Sequence, residues 1–162
     1  MALQNDAVSV FIAFGSNLGD RSAAIDAAAT KLASSPGLTI KARSSVYETE
    51  PVSDIPQGLF LNGVFHLQCR LPALDLMNAL LRIEDQLGRV RQQATGPRII
   101  DLDLLFYGDL ICNDKLLTLP HPRLHERAFV LRPLYDLAPD LVHPILGQSI
   151  RQLWTQMKKT RA

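Results

Sequence analysis

The spacing of apolar side chains changes several times along the chain, and each change marks a predicted element. Residues 8–14 and 60–69 are rich in β-branched and aromatic side chains, a composition typical of strands. Further strands are predicted over residues 39–47 and around Asp101 and Asp103. Four stretches of the chain therefore have the character of β-structure.

Apolar side chains at helical spacing follow the predicted strands at residues 8–14 and 60–69. Asp20 is a suitable N-cap for the first helix, which the residues at 34–37 bring to an end. Pro72 suits the first turn of the second helix, and Gly88 ends it. The side chains predicted to face inward are Ile25, Ala28, Ala29 and Leu32 in the first helix and Leu76, Leu80, Ile83 and Leu87 in the second.

The remaining segments complete an α+β pattern. Residues 48–58 and 89–95 are predicted loops, residues 108–119 a hairpin or edge addition, and residues 126–137 and 149–159 helices. Strand, helix, strand, strand, helix, strand is the order of a ferredoxin-like βαββαβ core, a mainly antiparallel sheet with helices on one face. We predict a single domain over residues 1–162 with a C-terminal hairpin and helix extension, and this fold alone implies no function.

Composition narrows the class of protein without indicating its chemistry. The 162 residues are 47% hydrophobic and 20% charged, as in an ordinary soluble globular protein. A net charge of +1 argues against a strongly basic surface for nucleic acid. The two cysteines form no CxxC motif, and no stretch has the length of a membrane span. We therefore expect a cytoplasmic protein that binds neither nucleic acid nor membrane.

Asp101 and Asp103 are the most informative side chains of the sequence. Alternation along a strand points both carboxylates to one face, while Ile100, Leu102, Leu104 and Phe106 are predicted to point to the other. Two neighbouring aspartates repel each other unless a cation lies between them, and hard carboxylate oxygens suit Mg²⁺. Arg98, close by, adds a group that binds phosphate. The simpler alternative is a structural ion pair between Arg98 and Asp101.

Three further groups of side chains are candidates for the same site. Arg89 and Arg91 lie in a polar loop, and His121, Arg123, His125 and Arg127 lie in a loop stiffened by prolines. Both groups are compatible with plain solvated surface. Phe60 and Phe129 are most simply core residues, although Asn62 shares a strand face with Phe60 and suits the edge of a flat polar ligand.

Taken together, these motifs resemble the 6-hydroxymethyl-7,8-dihydropterin pyrophosphokinases of folate biosynthesis. The similarity runs in order from about Val10 to Val142. The motifs that carry it are Gly15-Ser16-Asn17-Leu18, Gly88-Arg89-Val90-Arg91, Gly96-Pro97-Arg98, Asp101-Leu102-Asp103-Leu104, Pro120-His121-Pro122-Arg123 and Arg127-Ala128-Phe129. The resemblance implies transfer of the β,γ-pyrophosphoryl group of ATP to the pterin hydroxymethyl oxygen, with AMP as the second product.

The resemblance also implies roles for individual residues. It makes Asp101 and Asp103 the ligands of two Mg²⁺ ions and, with Arg89 and Arg98, the catalytic set. ATP binding falls to Glu84, Arg89, Arg91, Arg98, Leu104, Thr118, His121 and Arg127, with a solvated carboxylate the alternative for Glu84. Pterin binding falls to Thr49, Val52, Phe60, Asn62 and Phe129. ATP and the pterin are the expected partners of a monomeric enzyme.

The loop before Arg98 departs from the family pattern. Gln92, Ala94 and Thr95 stand where many members carry basic or aromatic residues, and Leu116 stands at another expected basic position, next to Lys115. We expect these changes to weaken nucleotide affinity without abolishing the chemistry, because neither change touches the aspartate pair.

Three other functions stay open on the sequence alone. They are a ferredoxin-like RNA-binding module, an inactive domain that binds a nucleotide or pterin, and a different two-metal phosphotransferase or hydrolase. The sequence has no RNP-like aromatic pattern, which disfavours the first. The complete set of aspartates and arginines favours an enzyme over an inactive binding domain. The reaction product would distinguish a different phosphotransferase or hydrolase.

Overall fold

A computed structural model of the chain describes residues 3–89 and 95–161. One antiparallel sheet runs through it, with the strand order β2-β4-β1-β5. These strands are β1 (Val8–Ser16), β2 (Leu38–Arg43), β4 (Phe60–Cys69) and β5 (Asp101–Tyr107), and β3 (Tyr47–Thr49) pairs with the beginning of β4. The predicted ferredoxin-like α+β core is confirmed.

Helices α1 (Arg21–Ala33) and α2 (Ala73–Gln86) cover one face of this sheet. Asp20 caps α1 as predicted, because its Oδ1 accepts a hydrogen bond from Ala23 N at 3.1 Å. Gly88 follows α2 with a φ of 94°, a conformation that favours glycine at a helix end. The predicted inward side chains Leu76, Leu80 and Ile83 are buried in the core beneath these helices.

The opposite face of the sheet is also covered, which the expectation of helices on one face missed. Helices α3 (Ala128–Leu137) and α4 (Ile150–Arg161) pack there. The central strands bury side chains on both faces, since Ile12 belongs to the core under α1 and α2 while Phe11 and Val64 belong to the core under α3 and α4. The C-terminal extension therefore completes the domain by burying a second apolar layer.

One side chain of β5 lies on the face opposite to the predicted one. Ile12 of β1 pairs with Leu104, but Phe11 pairs with Phe106, so that Leu105 is an extra residue on β5. Beyond this bulge the alternation is reversed, and Phe106 lies in the core under α3 and α4 instead of beside Leu102 and Leu104. Asp101 and Asp103 precede the bulge and keep their common face.

The shorter elements refine the predicted boundaries. The strand expected over residues 39–47 is two strands, β2 and β3, which pair with different parts of β4. The predicted hairpin is present as β6 (Cys112–Asn113) and β7 (Thr118–Leu119), and a 3-10 helix (Leu124–Glu126) precedes α3. Within the described ranges, no helix is both long enough and apolar enough to cross a membrane.

Candidate active site

Two adjoining cavities open at the end of the sheet where β5 begins, and Asp101 and Asp103 line both of them. The first, of about 200 Å³, lies between the 49–53 segment, β4 and α3. The second, of about 370 Å³, lies between α2, β5 and the 115–122 segment. The two carboxylates thus stand at the junction of two spaces that could each receive a substrate.

Asp101 is held by two arginines. Arg89 Nη1 donates to Asp101 Oδ1 at 2.5 Å, and Arg98 Nη1 donates to Asp101 Oδ2 at 3.0 Å. The ion pair between Arg98 and Asp101 that the sequence left as a structural alternative is therefore present. It is part of a larger charged cluster, because Asp103 and Glu84 lie beside it.

Glu84 connects this cluster to α2 and β5. Glu84 is 2% exposed, and its Oε2 accepts hydrogen bonds from Arg89 Nη1 at 2.8 Å and from Leu102 N at 2.7 Å. A buried carboxylate with an ion pair and a backbone donor fixes both groups in place. Glu84 thereby sets the position of Arg89 and of the strand segment that carries the two aspartates.

Asp103 has a different environment from Asp101. Within residues 3–89 and 95–161, no hydrogen bond or ion pair satisfies its carboxylate. Burial, followed by the charges of Asp101 and Glu84, raises the pKa of Asp103 to about 7, while Arg127 and Arg98 act in the opposite direction. A carboxylate without a bonded partner and beside two like charges favours the binding of a cation.

The donor set fits Mg²⁺. Asp101 and Asp103 offer hard oxygen ligands, and among the described residues no group of three or more His, Cys, Asp or Glu side chains forms a closed metal site. Two carboxylates without further protein ligands suit an ion that keeps waters and binds substrate phosphates. The unsatisfied Asp103 carboxylate is the observation that supports this fit.

His121 lines the second cavity as a neutral side chain. Burial and then Arg127 lower its pKa to about 4. Its Nδ1 accepts a hydrogen bond from Arg123 N at 3.2 Å, which places the proton on Nε2. Neutral His121 is therefore a hydrogen-bond donor from Nε2, a suitable partner for an anionic oxygen.

The first cavity has aromatic walls and a polar edge. Phe60 and Phe129 both line it, and the Arg127 guanidinium lies 5.6 Å from the centre of the Phe129 ring. Asn62, which is 7% exposed, donates from Nδ2 to Thr49 Oγ1 at 2.5 Å. This combination suits a flat aromatic ligand with hydrogen-bonding groups on its rim.

The structure brings the predicted site residues together. The first cavity is lined by Thr49, Val52, Phe60, Asn62, Arg98, Arg127 and Phe129, and the second by Glu84, Arg89, Leu104, Thr118 and His121. Arg91 lies outside the described residues, as do Gln92 and Ala94. Lys115 lines the second cavity beside Leu116.

Two residues of the site were named in motifs, although neither was assigned to catalysis or to the binding of ATP or pterin. Arg123 lines the first cavity, and its position in the Pro-His-Pro-Arg stretch was the available signal. Asn17 accepts a hydrogen bond from the backbone N–H of Arg98, and its position in the Gly-Ser-Asn-Leu motif was the only available signal.

Comparisons with known proteins indicate a family for the chain. The family described as 7,8-dihydro-6-hydroxymethylpterin-pyrophosphokinase (HPPK) matches residues 11–139. The chain is 43% identical over 142 residues to the 2-amino-4-hydroxy-6-hydroxymethyldihydropteridine pyrophosphokinase of Methylorubrum extorquens, which covers 88% of this chain and 89% of that protein.

Larger proteins contain the same unit. The chain is 45% identical over 145 residues to the folic acid synthesis protein fol1 of Pneumocystis carinii, covering 90% of this chain but only 20% of that protein. The Plasmodium falciparum HPPK-DHPS structure has the same fold, with a TM-score of 0.77 at 16% identity over 96% of this chain and 46% of that one. The family match and the coverage of the bacterial relative establish that the chain belongs to the HPPK family of ATP-dependent pyrophosphokinases that act on hydroxymethyldihydropterin in folate synthesis.

Proposed function

We propose that this chain transfers the β,γ-pyrophosphoryl group of ATP to 6-hydroxymethyl-7,8-dihydropterin at the junction of the two cavities. The observation that carries the proposal is the position of Asp101 and Asp103, which line both spaces. The pterin occupies the cavity between Phe60 and Phe129, and ATP occupies the cavity beside Glu84 and His121. Each substrate then presents its reacting end to the carboxylate pair.

The transfer exchanges one phosphorus–oxygen bond for another. The hydroxymethyl oxygen of the pterin forms a bond to the β-phosphorus, and the bond from that phosphorus to the oxygen bridging to the α-phosphorus breaks. AMP leaves with the bridging oxygen, and the hydroxyl proton passes to solvent. The charge that builds up lies on phosphate oxygens, so placed cations contribute more than covalent chemistry does.

The arginines supply part of that positive charge. ATP carries about four negative charges, and Arg89, Arg98 and Arg127 surround the place where its phosphates would lie. Arg98 borders the first cavity and Arg89 the second, so the two guanidinium groups approach the transferred group from different sides. His121 donates from Nε2, and Arg91 and Thr118 complete the proposed nucleotide contacts.

Asp101 and Asp103 are the residues that would hold two Mg²⁺ ions. When bound, Mg²⁺ neutralises phosphate charge and polarises the oxygens of the reacting groups. Asp101 is already placed by Arg89 and Arg98, while Asp103 keeps its carboxylate open to the cavities. Glu84 holds Arg89 in the same cluster and acts through that arginine.

The pterin is recognised by shape and by hydrogen bonds. Phe60 and Phe129 offer ring faces for stacking, and the Asn62 amide can both donate to and accept from the edge of the pterin. Thr49 fixes the Asn62 amide, and the Val52 segment closes the rim of the cavity. Val52 is 73% exposed, so it lies at the open side of the cavity.

The test of the proposal is an analysis of nucleotide products. Purified protein is mixed with ATP, Mg²⁺ and 6-hydroxymethyl-7,8-dihydropterin, with controls that omit each component. AMP that forms only in the complete mixture supports the proposal. ADP or inorganic phosphate in its place would identify another phosphotransferase or hydrolase, and pterin binding without turnover would identify an inactive binding domain.

We also propose that the chain acts as one domain and as a cytoplasmic monomer. The support is a five-stranded sheet with both faces covered by the chain's own helices. Light scattering at micromolar concentration tests the monomer, and a dimer mass would overturn it.

A further inference from the structure

Asn17 lies in the turn that follows β1, and its side chain joins two separate loops. Its Oδ1 accepts a hydrogen bond from Arg98 N at 2.8 Å, and its Nδ2 donates to Gln57 Oε1 at 2.8 Å and to Gly58 O at 3.0 Å. A backbone N–H only donates and a carbonyl only accepts, so the amide has this orientation and no other. With 7% exposure, Asn17 makes these bonds away from solvent.

The first of the two loops carries Arg98. Besides the side-chain bond, Asn17 N donates to Arg98 O at 3.0 Å, so Asn17 holds both polar backbone groups of Arg98. The guanidinium of Arg98 in turn holds Asp101. Asn17 therefore fixes the backbone from which a phosphate-binding arginine and a carboxylate of the reaction centre are positioned.

The second loop covers the pterin cavity. Residues 50–53 line that cavity, and Gln57 ends the same loop. Gln57 Nε2 also donates to Thr95 O at 2.7 Å, and Ser53 Oγ donates to Thr95 Oγ1 at 3.2 Å. The loop over the pterin cavity is thus fastened to the 95–98 segment at two points, through Asn17 and through Thr95.

We propose that Asn17 is a positioning residue that couples pterin binding to nucleotide binding. The inference rests on the proposed function of the two cavities. A ligand that orders either loop also orders the other through Asn17 and Gln57, so the second ligand meets a loop that is already in place. Because coupling is reciprocal, each substrate raises the affinity for the other by the same factor.

The experiment measures this factor directly. The affinity of 6-hydroxymethylpterin is determined by calorimetry with and without saturating Mg²⁺ and α,β-methylene ATP, an analogue whose α–β bridge does not break. Asn17→Asp keeps the acceptor for Arg98 N but loses both donors to the pterin loop. Gln57→Ala adds no charge; it removes the bond from Asn17 to Gln57 and the bond from Gln57 to Thr95, and it keeps the bond from Asn17 to Gly58 O. We expect each variant to reduce the coupling factor by at least about fivefold.

Controls separate this role from simple loss of structure. Asn78→Asp makes the same chemical change at an exposed position on α2 and should keep the wild-type factor. A factor near one in the wild type, or an unchanged factor in both variants, would overturn the coupling role. A reduced factor in Asn17→Asp alone would also overturn it, because added charge would then explain the result. A wild type that turns over ATP and pterin to AMP keeps the proposed function intact in each of these cases.

Discussion

Asp101 and Asp103 lie two residues apart on one face of β5, yet only Asp101 is paired with arginine among the residues that the structure describes. The sequence suggests a pair of equivalent aspartates that repel each other. In the folded protein one of them pairs with Arg89 and Arg98, and the other is left half-buried beside the like charges of Asp101 and Glu84. Their removal should therefore have opposite effects on stability.

The first prediction compares Asp103→Asn with Asp101→Asn in the absence of Mg²⁺. Asp103→Asn removes a half-buried charge that lies beside the like charges of Asp101 and Glu84, and it should raise the free energy of unfolding by about 1 kcal/mol. Asp101→Asn leaves two arginines without their carboxylate and should lower it by about 1–3 kcal/mol. Both variants should lose AMP formation. Urea unfolding and product analysis measure these effects.

Asp109→Asn provides the matched control, since Asp109 is exposed in the turn after β5. It should leave both stability and turnover close to wild type. Equal destabilisation by the two site variants would show that Asp103 has a structural partner and would contradict the proposed metal role.

A second prediction concerns the removal of Mg²⁺. An ion that binds the folded chain stabilises it by an amount that grows with its concentration, about 1.4 kcal/mol at ten times the dissociation constant. We expect Mg²⁺ to stabilise the wild type against urea and EDTA to reverse the effect. Asp103→Asn should show neither response. Equal stabilisation of both proteins by Mg²⁺ would place the ion elsewhere.

A third prediction follows from His143. Burial and then His125 lower its pKa, and its Nδ1 accepts hydrogen bonds from Ile145 N at 3.2 Å and Leu146 N at 3.1 Å. The folded state therefore favours the neutral imidazole, whereas the unfolded chain titrates near 6.5. The contribution of His143 to stability is complete above about pH 6.5 and is lost as the pH falls toward the lower pKa of the folded state.

The check is a comparison of His143→Asn with the wild type between pH 8 and pH 5. An asparagine Oδ1 can replace the Nδ1 acceptor without titrating, so the variant should lose less stability on acidification. His66 and His121 also have lowered pKa values and will keep part of the acid dependence. Parallel stability curves for the two proteins would rule out His143 as a contributor.

Local patterns predict most of the elements because apolar spacing records which face of each element is buried. The boundaries of β4 and the cap of α1 follow directly from such patterns. The bulge at Leu105 could not be predicted, because one extra residue in a strand depends on pairing with β1 and leaves no signature in an apolar run. The predicted face of Phe106 was wrong for this reason.

The candidate site shows the same division. Asp101 and Asp103 are recognisable because paired carboxylates in an apolar strand are costly. The bond between Arg98 N and Asn17 Oδ1 joins residues 81 positions apart, and no local pattern anticipates it. Family resemblance placed Asn17 in a motif, but only the folded chain indicates what the side chain holds.

A fourth prediction tests the polar edge of the pterin cavity. Asn62→Ala removes the amide that Thr49 orients and should raise the KM for the pterin by about tenfold, the effect of one or two lost hydrogen bonds. The KM for ATP should change by less than about twofold, because Asn62 does not line the second cavity. Asn78→Ala on α2 is the control. A larger change in the KM for ATP than in the KM for the pterin would contradict this assignment.

The fifth prediction distinguishes two roles of Glu84. The family resemblance makes it a nucleotide contact, but its Oε2 is occupied by Arg89 and by the backbone of Leu102. Glu84→Gln keeps the size of the side chain and weakens its hold on Arg89. A residue that acts through Arg89 should lower kcat by about tenfold with little change in the KM for ATP, because the loss is felt when charge moves in the transition state. A direct nucleotide contact should instead raise the KM for ATP at constant kcat. Asp75→Asn, at the other end of α2, is the control and should alter neither constant.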